Sequence, residues 1–335
     1  MSNELLVSAS SARTLVSFLE GINVTHAEME SKTGIVIADL EKPDSRIPIT
    51  PYNQLWNLAL LKSKDPALGL HLGEMVNEEQ MGVIGHITFN NPTLGEALAQ
   101  FTRLFQLVNE GMRAELIVQD ELAILRYLWD APEFYSTPNM ERTMAVSITR
   151  ARSYIAQQLK VEYVSFQHPQ PSYIDEYNRI FNCPLKFGDD CSSIAFKSHF
   201  LDYKLPKGNP YIHQVLTRHV ENLLKKLRAR NSFSSQIRNL IAKELSKNAI
   251  DAETIASQMH MSRHTLYRKL KSENHSFQEL VEDVRQEKAM KYLSEDKYSL
   301  SEIAFLLGFS ELSAFSRAFK RWTGKSPAQF MKEKS

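Results

Sequence analysis

Residues 255–271 have the sequence IASQMHMSRHTLYRKLK, and residues 303–320 have the sequence IAFLLGFSELSAFSRAFK. Both segments begin with Ile-Ala, and their second halves align when one extra residue is allowed after Ser310. In each segment, apolar residues recur at the spacing of one helix face. The stretch from Asp251 to Trp322 therefore contains one helical unit twice: a short helix, a tight turn and a second helix. This is the helix-turn-helix arrangement, whose second helix can lie in the major groove of DNA.

The turn of each unit needs a residue that tolerates a positive φ. Gly308 meets this need without a Cβ clash, and His260 occupies the same place in the first unit as one of the non-glycine residues found in that region. The apolar residues of each second helix are expected to face the core: Leu266, Leu270, Phe315 and Phe319. The residues between them are polar or basic and are expected to face outward.

The segment Asp251–Pro327 resembles the DNA-binding domain of the AraC/XylS family of regulators. Two units at this separation are more specific evidence than a lone helix-turn-helix pattern. The second unit also carries the family's C-terminal signature, in Ile303-Ala304, Leu307-Gly308-Phe309-Ser310, Phe315-Ser316-Arg317-Ala318-Phe319-Lys320 and Gly324-Lys325-Ser326-Pro327. The resemblance implies a transcriptional regulator, expected to be an activator, with double-stranded promoter DNA and RNA polymerase as partners.

Length and charge indicate two domains of different character. A chain of 335 residues is typical of two domains. Residues 211–335 hold 22 Lys and Arg against 14 Asp and Glu, a balance of +8, whereas residues 1–210 hold 18 against 25, a balance of −7. A basic module beside an acidic domain favours nucleic-acid binding by the C-terminal part, although uneven sampling of solvated charges can give the same result.

Other features of the sequence argue against a membrane protein, a secreted protein and an enzyme. No apolar run approaches the roughly 20 residues of a membrane span, and the N-terminus lacks a secretory signal. We therefore expect a cytoplasmic protein. The chain has no dinucleotide-binding glycine motif, P-loop, metal-ligand spacing or nucleophile elbow. Hence we expect no catalytic residue, no cofactor and no metal.

The first 205 residues are expected to form an α+β domain with a small sheet. Helical patterns dominate up to about residue 110, and Thr93 is expected to cap a helix with Glu96 three positions on. Residues 115–119 and 122–129 alternate in hydrophobicity around Asp120-Glu121, which predicts a hairpin. The domain also resembles the effector domain of the family branch that contains ornithine-utilisation and virulence or quorum-sensing regulators, through Gly69-Leu70, Gly82-Val83-Ile84-Gly85 and Pro92-Thr93-Leu94-Gly95-Glu96-Ala97-Leu98. That resemblance implies control by a small-molecule effector or by dimer contacts.

Residues 206–231 are expected to form a linker helix between the effector domain, residues 1–205, and the DNA-binding domain, residues 232–335. This helix can serve as a linker, as a homodimer contact, or simply pack on the N-terminal domain. In the all-α C-terminal domain, the helix-turn-helix units are placed at residues 251–271 and 299–322. Ser234 is expected to cap a helix, as are Asp251, Ser276 and Ser299. The helix after Ser276 joins the two units, and its length of roughly 25 Å is of the order of one DNA turn.

The resemblance places base contacts in the first unit at His264, Tyr267 and Arg268, and in the second unit at Leu312, Ser313 and Arg317. Arginine to guanine is the commonest specific contact, whereas Leu312 can make only apolar contact, for example with a thymine methyl. The lysines are better suited to phosphate contacts, which position the protein on DNA without reading the base sequence: Lys269, Lys271, Lys320 and Lys325. The outward set is completed by Arg263, Ser316 and Arg321.

Several alternatives remain open at this point. Arg268 and Arg317 can instead pair with nearby carboxylates, and His264 and Tyr267 can be exposed without touching DNA. The N-terminal domain can also be an enzyme or alkyl acceptor fused to a DNA-binding module. The alkyl-acceptor version requires a reactive thiol at Cys183 or Cys191.

Overall fold

The structure, a computed structural model, describes residues 4–42, 44–75, 82–88, 90–155, 159–206, 209–245, 250–295 and 297–332. Contacts divide the chain into two compact units, which comprise Glu4–Lys225 and Lys226–Ser335. The division falls within the helix Pro210–Asn231. Two residues of the expected domain boundary, 207 and 208, lie outside the described residues, as do residues 246–249, 296 and 333–335 of the expected DNA-binding domain.

The first unit is largely helical. Thr93 caps one of its helices as predicted, because its side chain accepts a hydrogen bond from the backbone N–H of Glu96 at 3.2 Å. The helices are α1 (Ala9–Gly21), α2 (His26–Thr33), α3 (Ile49–Ser63), α4 (Leu68–Glu74), α5 (Gly82–Thr88), α6 (Leu94–Leu104), α7 (Thr137–Tyr154), α8 (Ile174–Phe181) and α9 (Pro210–Asn231), the last of which crosses the division between the units.

Two sheets accompany these helices. A short antiparallel pair joins β1 (Leu6–Ser8) and β2 (Arg46–Pro48). The second sheet has the order β3-β4-β7-β5-β6 and is antiparallel except for the β5–β6 pair. Its strands are β3 (Met112–Gln119), β4 (Leu122–Trp129), β5 (Val161–Phe166), β6 (Leu185–Phe187) and β7 (Ser192–Lys197). The predicted α+β architecture with a small sheet is confirmed.

Glycines allow α4 and α7 to approach closely. A Cβ atom on Gly69 would lie 2.4 Å from the carbonyl oxygen of Pro138, and one on Gly73 would lie 2.4 Å from the Cβ of Ala145. Such distances are shorter than non-bonded atoms tolerate, so a larger residue at either glycine would separate the helices. The Gly69-Leu70 pair that carried the family resemblance therefore has a packing role, with Leu70 fully buried.

The described part of the second unit consists of helices. A single core contains the predicted inward residues of both repeats, and Leu266, Leu270, Phe315 and Phe319 are fully buried. The helices are α10 (Phe233–Glu244), α11 (Ala252–Gln258), α12 (Arg263–Ser272), α13 (Phe277–Glu295), α14 (Leu300–Leu306), α15 (Leu312–Thr323) and α16 (Pro327–Lys332). The predicted all-α domain, with two helix-turn-helix units joined by a helix, is confirmed.

The predicted helix caps hold with one exception. Asp251 caps α11, and Ser299 and Glu302 form a complete capping box at α14. The prediction that Ser234 caps α10 is wrong, because Ser232 is the capping residue. Ser234 instead lies inside the first turn, where its backbone N–H donates to the carboxylate of Glu273 at 2.8 Å. Two serines two residues apart both satisfy the local capping pattern, and only the path of the chain distinguishes them.

Candidate nucleic-acid interface

The helix α12 begins immediately after the tight turn of the first repeat. His260 takes a left-handed conformation, with φ 51°, and the hydroxyl of Ser262 accepts a hydrogen bond from the backbone N–H of Thr265 at 3.2 Å. Burial of Leu266 and Leu270 then fixes the rotation of the helix about its axis. Consequently the predicted contact residues of this helix are all exposed: Arg263, His264, Tyr267, Arg268, Lys269 and Lys271.

Three of these side chains differ in how they are held. Arg263 donates a hydrogen bond to the Tyr267 hydroxyl at 3.3 Å, and its guanidinium lies 5.3 Å from the centre of the Tyr267 ring. The ammonium of Lys269 lies 5.1 Å from the centre of the Phe233 ring. Within the described part of the chain, Arg268 makes no side-chain hydrogen bond or ion pair. Arg268 therefore has its full donor set available for a base edge.

The helix α15 occupies the same place in the second repeat. Gly308 supplies the turn with φ 71°, as predicted. Arg317 lies 3.7 Å from the carboxylate of Glu311, but both side chains are largely exposed, so this pair is weak and open to exchange with DNA. The hydroxyl of Ser313 also donates to Glu311. The predicted set is exposed except for Ser316, which is half-buried: Leu312, Ser313, Ser316, Arg317, Lys320 and Arg321.

Arg321 is already bound to the linking helix. Its Nη2 donates to the carboxylate of Glu282 on α13 at 2.8 Å, and the indole N–H of Trp322 donates to the same carboxylate at 3.4 Å. Glu282 thus fixes the C-terminal half of α15 to α13. Arg321 remains a predicted DNA contact only through the nitrogens that Glu282 does not use.

Two residues that no sequence pattern indicated hold these recognition helices in place. Glu273, just after α12, accepts hydrogen bonds from the backbone N–H groups of Phe233 and Ser234 at the start of α10. Burial raises the pKa of the Glu273 carboxyl, but these hydrogen bonds outweigh it and leave the pKa below its ordinary value. Arg285 on α13 bonds the turn of the second repeat. Local patterns carry no signal for either contact, because the partners are distant in sequence.

Of the two cysteines that the alkyl-acceptor alternative names, Cys191 is buried, and its sulfur accepts a hydrogen bond from Nε of Arg126 at 3.3 Å. Burial raises the pKa of the Cys183 thiol to about 11, which disfavours the reactive thiolate that an alkyl acceptor needs. In the described ranges, no three His, Cys, Asp or Glu residues are grouped to hold a metal ion. Of the helices that the structure describes, none combines the length and the apolar character needed to cross a membrane.

Comparison with protein families matches both halves of the chain. Residues 26–205, more than half of the sequence, match the model described as the arabinose-binding N-terminal domain of AraC transcription regulators. Residues 255–333 match a helix-turn-helix domain model. The second match includes the repeated segments 255–271 and 303–320 and all the predicted contact residues.

Curated relatives are also regulators and not enzymes. The ornithine utilization regulator of Pseudomonas aeruginosa is 28% identical over 326 residues, covering 97% of this chain and 96% of that protein. The transcriptional regulator VirS of Mycobacterium tuberculosis is 25% identical over 268 residues, covering 79% of this chain and 78% of its own. The DNA-binding dual transcriptional regulator Rns of Escherichia coli is 37% identical over 98 residues, which is 29% of this chain and 37% of Rns. With its paired helix-turn-helix units and its matched N-terminal domain, the chain belongs to the AraC family of DNA-binding transcription regulators.

Proposed function

We propose that this protein activates transcription in the cytoplasm by binding promoter DNA with both recognition helices of one chain. The observation that supports the proposal is that α12 and α15 each combine a buried apolar face with an exposed basic one, and that α13 joins them. The 19 residues of α13 correspond to roughly 28 Å, close to the length of one DNA turn. The two helices would then enter successive major-groove segments on one face of the duplex.

Within this proposal the exposed residues divide into two groups. Residues that face the bases would select sequence: His264, Tyr267, Arg268, Leu312, Ser313 and Arg317. Basic and flanking residues would contact phosphates and fix the register: Arg263, Lys269, Lys271, Ser316, Lys320, Arg321 and Lys325. The second group would supply salt-dependent affinity that does not depend on base sequence.

We further propose that residues 1–205 receive a small-molecule effector, and that residues 206–231 link that domain to the DNA-binding domain, residues 232–335. The description of the matched N-terminal family model supports binding of a small molecule. On α9, Tyr211, Ile212 and Val215 expose apolar surface, which supports a homodimer contact through this helix. Effector or dimer contacts would change how the paired helices dock and how RNA polymerase is recruited.

Selection of bound genomic fragments by the full-length protein, followed by footprinting, tests the main proposal. The expected footprint contains two protected major-groove segments about 10 base pairs apart for each bound chain. A double variant, Arg268→Ala with Arg317→Ala, serves as the control and should lose the selected sequences while retaining weak general binding. A full-length protein that selects no sequence at low salt would contradict the proposal. Reporter transcription from a selected promoter then distinguishes activation from repression.

A further inference from the structure

Two arginines of α7, Arg142 and Arg150, are half-buried in the first unit, and within the described ranges neither has a carboxylate partner. The Nε atoms of both are buried and make no hydrogen bond. Arg142 donates one hydrogen bond, from Nη2 to the hydroxyl of Thr14 at 3.0 Å. Buried charges in proteins are normally paired, because an unpaired ion loses its hydration without compensation. One buried donor of each guanidinium, the Nε–H group, is therefore unused.

The two arginines share one stripe of α7, with Val146 between them, four residues from each. Eight residues of helix rise about 12 Å, a separation that two extended arginine side chains are together long enough to span. Their charges do interact: burial, together with the charge of Arg142, lowers the pKa of Arg150 to about 10. An anion between them would relieve both the lost hydration and the mutual repulsion.

The other faces of α7 are already occupied. Toward α4, Ala145 packs on Gly73. Toward the sheet, the hydroxyls of Ser147 and Tyr127 lie 2.7 Å apart. The acidic neighbour of Arg142 in the sequence, Glu141, is fully buried, and its Oε1 accepts hydrogen bonds from two tyrosines at 2.6 and 2.7 Å. Its Oε2 makes no hydrogen bond to either arginine. The arginine stripe borders the α4 contact, because the backbone of Arg142 and Val146 also lies against Gly73.

We propose that Arg142 and Arg150 bind the carboxylate of a small organic acid, and that this acid is the effector of the N-terminal domain. This inference rests on the proposed effector control. The planar guanidinium group donates two parallel hydrogen bonds to a carboxylate, which makes arginine the preferred partner for this group. A neutral sugar would leave both charges unpaired, whereas a carboxylate neutralises one and screens the other.

Thermal unfolding of the full-length protein with acetate or succinate, at constant ionic strength, tests the site. Succinate should raise the Tm of the wild type by about 5 °C at saturation, whereas succinamide and acetamide should not. Arg150→Gln should abolish this shift. Without succinate, Arg150→Gln should unfold at or above the wild-type temperature, because it removes a half-buried charge that has no carboxylate partner among the described residues. The matched control Arg113→Gln alters a half-buried arginine of β3 that is paired with Glu115 and Asp130, and it should keep the full shift.

A second measurement uses the unmodified protein, so it does not depend on how a variant folds. Phenylglyoxal modifies free guanidiniums, and succinate should slow its reaction at Arg142 and Arg150 severalfold while leaving Arg113 unaffected. A full succinate shift in Arg150→Gln, an equal shift with succinamide, or no protection at either arginine would overturn the inference. Inorganic phosphate that stabilises the protein where carboxylates do not would also overturn it, in favour of a phosphorylated ligand.

Failure of this inference can be told apart from failure of effector control. If L-arabinose raises the Tm and changes promoter binding while acetate and succinate do neither, effector control stands and the carboxylate site is wrong. If succinate protects both arginines but alters neither promoter binding nor transcription, the site is present and effector control is wrong.

Discussion

Arg285 on α13 donates a hydrogen bond from Nε to the carbonyl oxygen of Leu307, at 3.0 Å, across the turn of the second repeat. Its Nη2 reaches the carbonyl of Gly308 at 3.3 Å, and its guanidinium lies 4.7 Å from the centre of the Phe309 ring. The linking helix therefore holds the turn from which α15 starts. The angle of that recognition helix depends on a side chain that does not face DNA.

Arg285→Ala should lower the free energy of unfolding of the DNA-binding unit by about 1.5–3 kcal/mol, because it leaves two turn carbonyls without a charged donor. It should also weaken binding to a selected promoter site by disturbing α15. Urea denaturation and fluorescence anisotropy measure the two effects. Arg238→Ala is the control, since Arg238 makes exposed ion pairs with Asp283 and Glu287 worth at most about 1 kcal/mol. Equal losses in both variants would contradict a special role for Arg285.

Arg268→Ala should weaken binding to the selected site more than binding to random DNA, by about 1–3 kcal/mol of discrimination, if Arg268 contacts a guanine. Lys271→Ala should instead weaken binding to both DNAs equally. It should also reduce the slope of log K against log salt concentration by about 1, the loss of one phosphate contact. Competition binding at several salt concentrations separates the two behaviours. If Arg268→Ala weakens binding to both DNAs equally, Arg268 contacts a phosphate and not a base.

The two turns should respond differently to substitution. Gly308→Ala should lower the free energy of unfolding by more than about 1 kcal/mol, because φ is 71° and the new Cβ would lie 2.8 Å from the carbonyl oxygen of Leu245. His260→Gly should leave stability unchanged or slightly raised, because glycine takes the observed left-handed conformation without strain. Urea denaturation measures both. A large loss in His260→Gly would show that the imidazole itself stabilises the first repeat.

Glu141 should make the stability of the N-terminal unit depend on pH. Burial raises the pKa of its carboxyl from 4.5 to about 7, against the hydrogen bonds from Tyr177 and Tyr173. The charges of Asp65 and His71 on the α4 side act in opposite directions. The folded protein thus holds a proton that the unfolded chain releases. The resulting stability is fully present below pH 4.5 and is lost as pH rises through 7, by about 3 kcal/mol in total.

Glu141→Gln should remove this dependence, because the amide keeps an oxygen for both tyrosines without a titrating proton. Urea denaturation at pH 5 and pH 8 should then show a smaller difference in the variant than in the wild type. Glu133→Gln, at an exposed position before α7, is the control and should retain the wild-type difference. A wild-type protein equally stable at both pH values would show that Glu141 is ionised throughout.

The sequence alone was sufficient to predict the repeated helix-turn-helix units, their buried leucines and phenylalanines, and the left-handed turns. These features arise from residues a few positions apart, so helical periodicity and backbone sterics determine them locally. The same local logic failed at Ser234, because Ser232 offers an equivalent cap and the choice depends on where α10 meets Glu273. The hairpin was also predictable, since its two strands are adjacent in the chain, although its first strand begins at Met112 and not at the predicted residue 115.

Only the tertiary structure decided which distant residues meet. The strand order, the close approach of α4 and α7 at Gly69 and Gly73, and the contact of Arg285 with the turn at Leu307 join segments that no local pattern connects. Nor could the sequence indicate that Arg142 and Arg150 would be half-buried with no acidic partner in the described part of the chain. Burial and pairing of a charge depend on every element packed around it, and these elements come from separate parts of the chain.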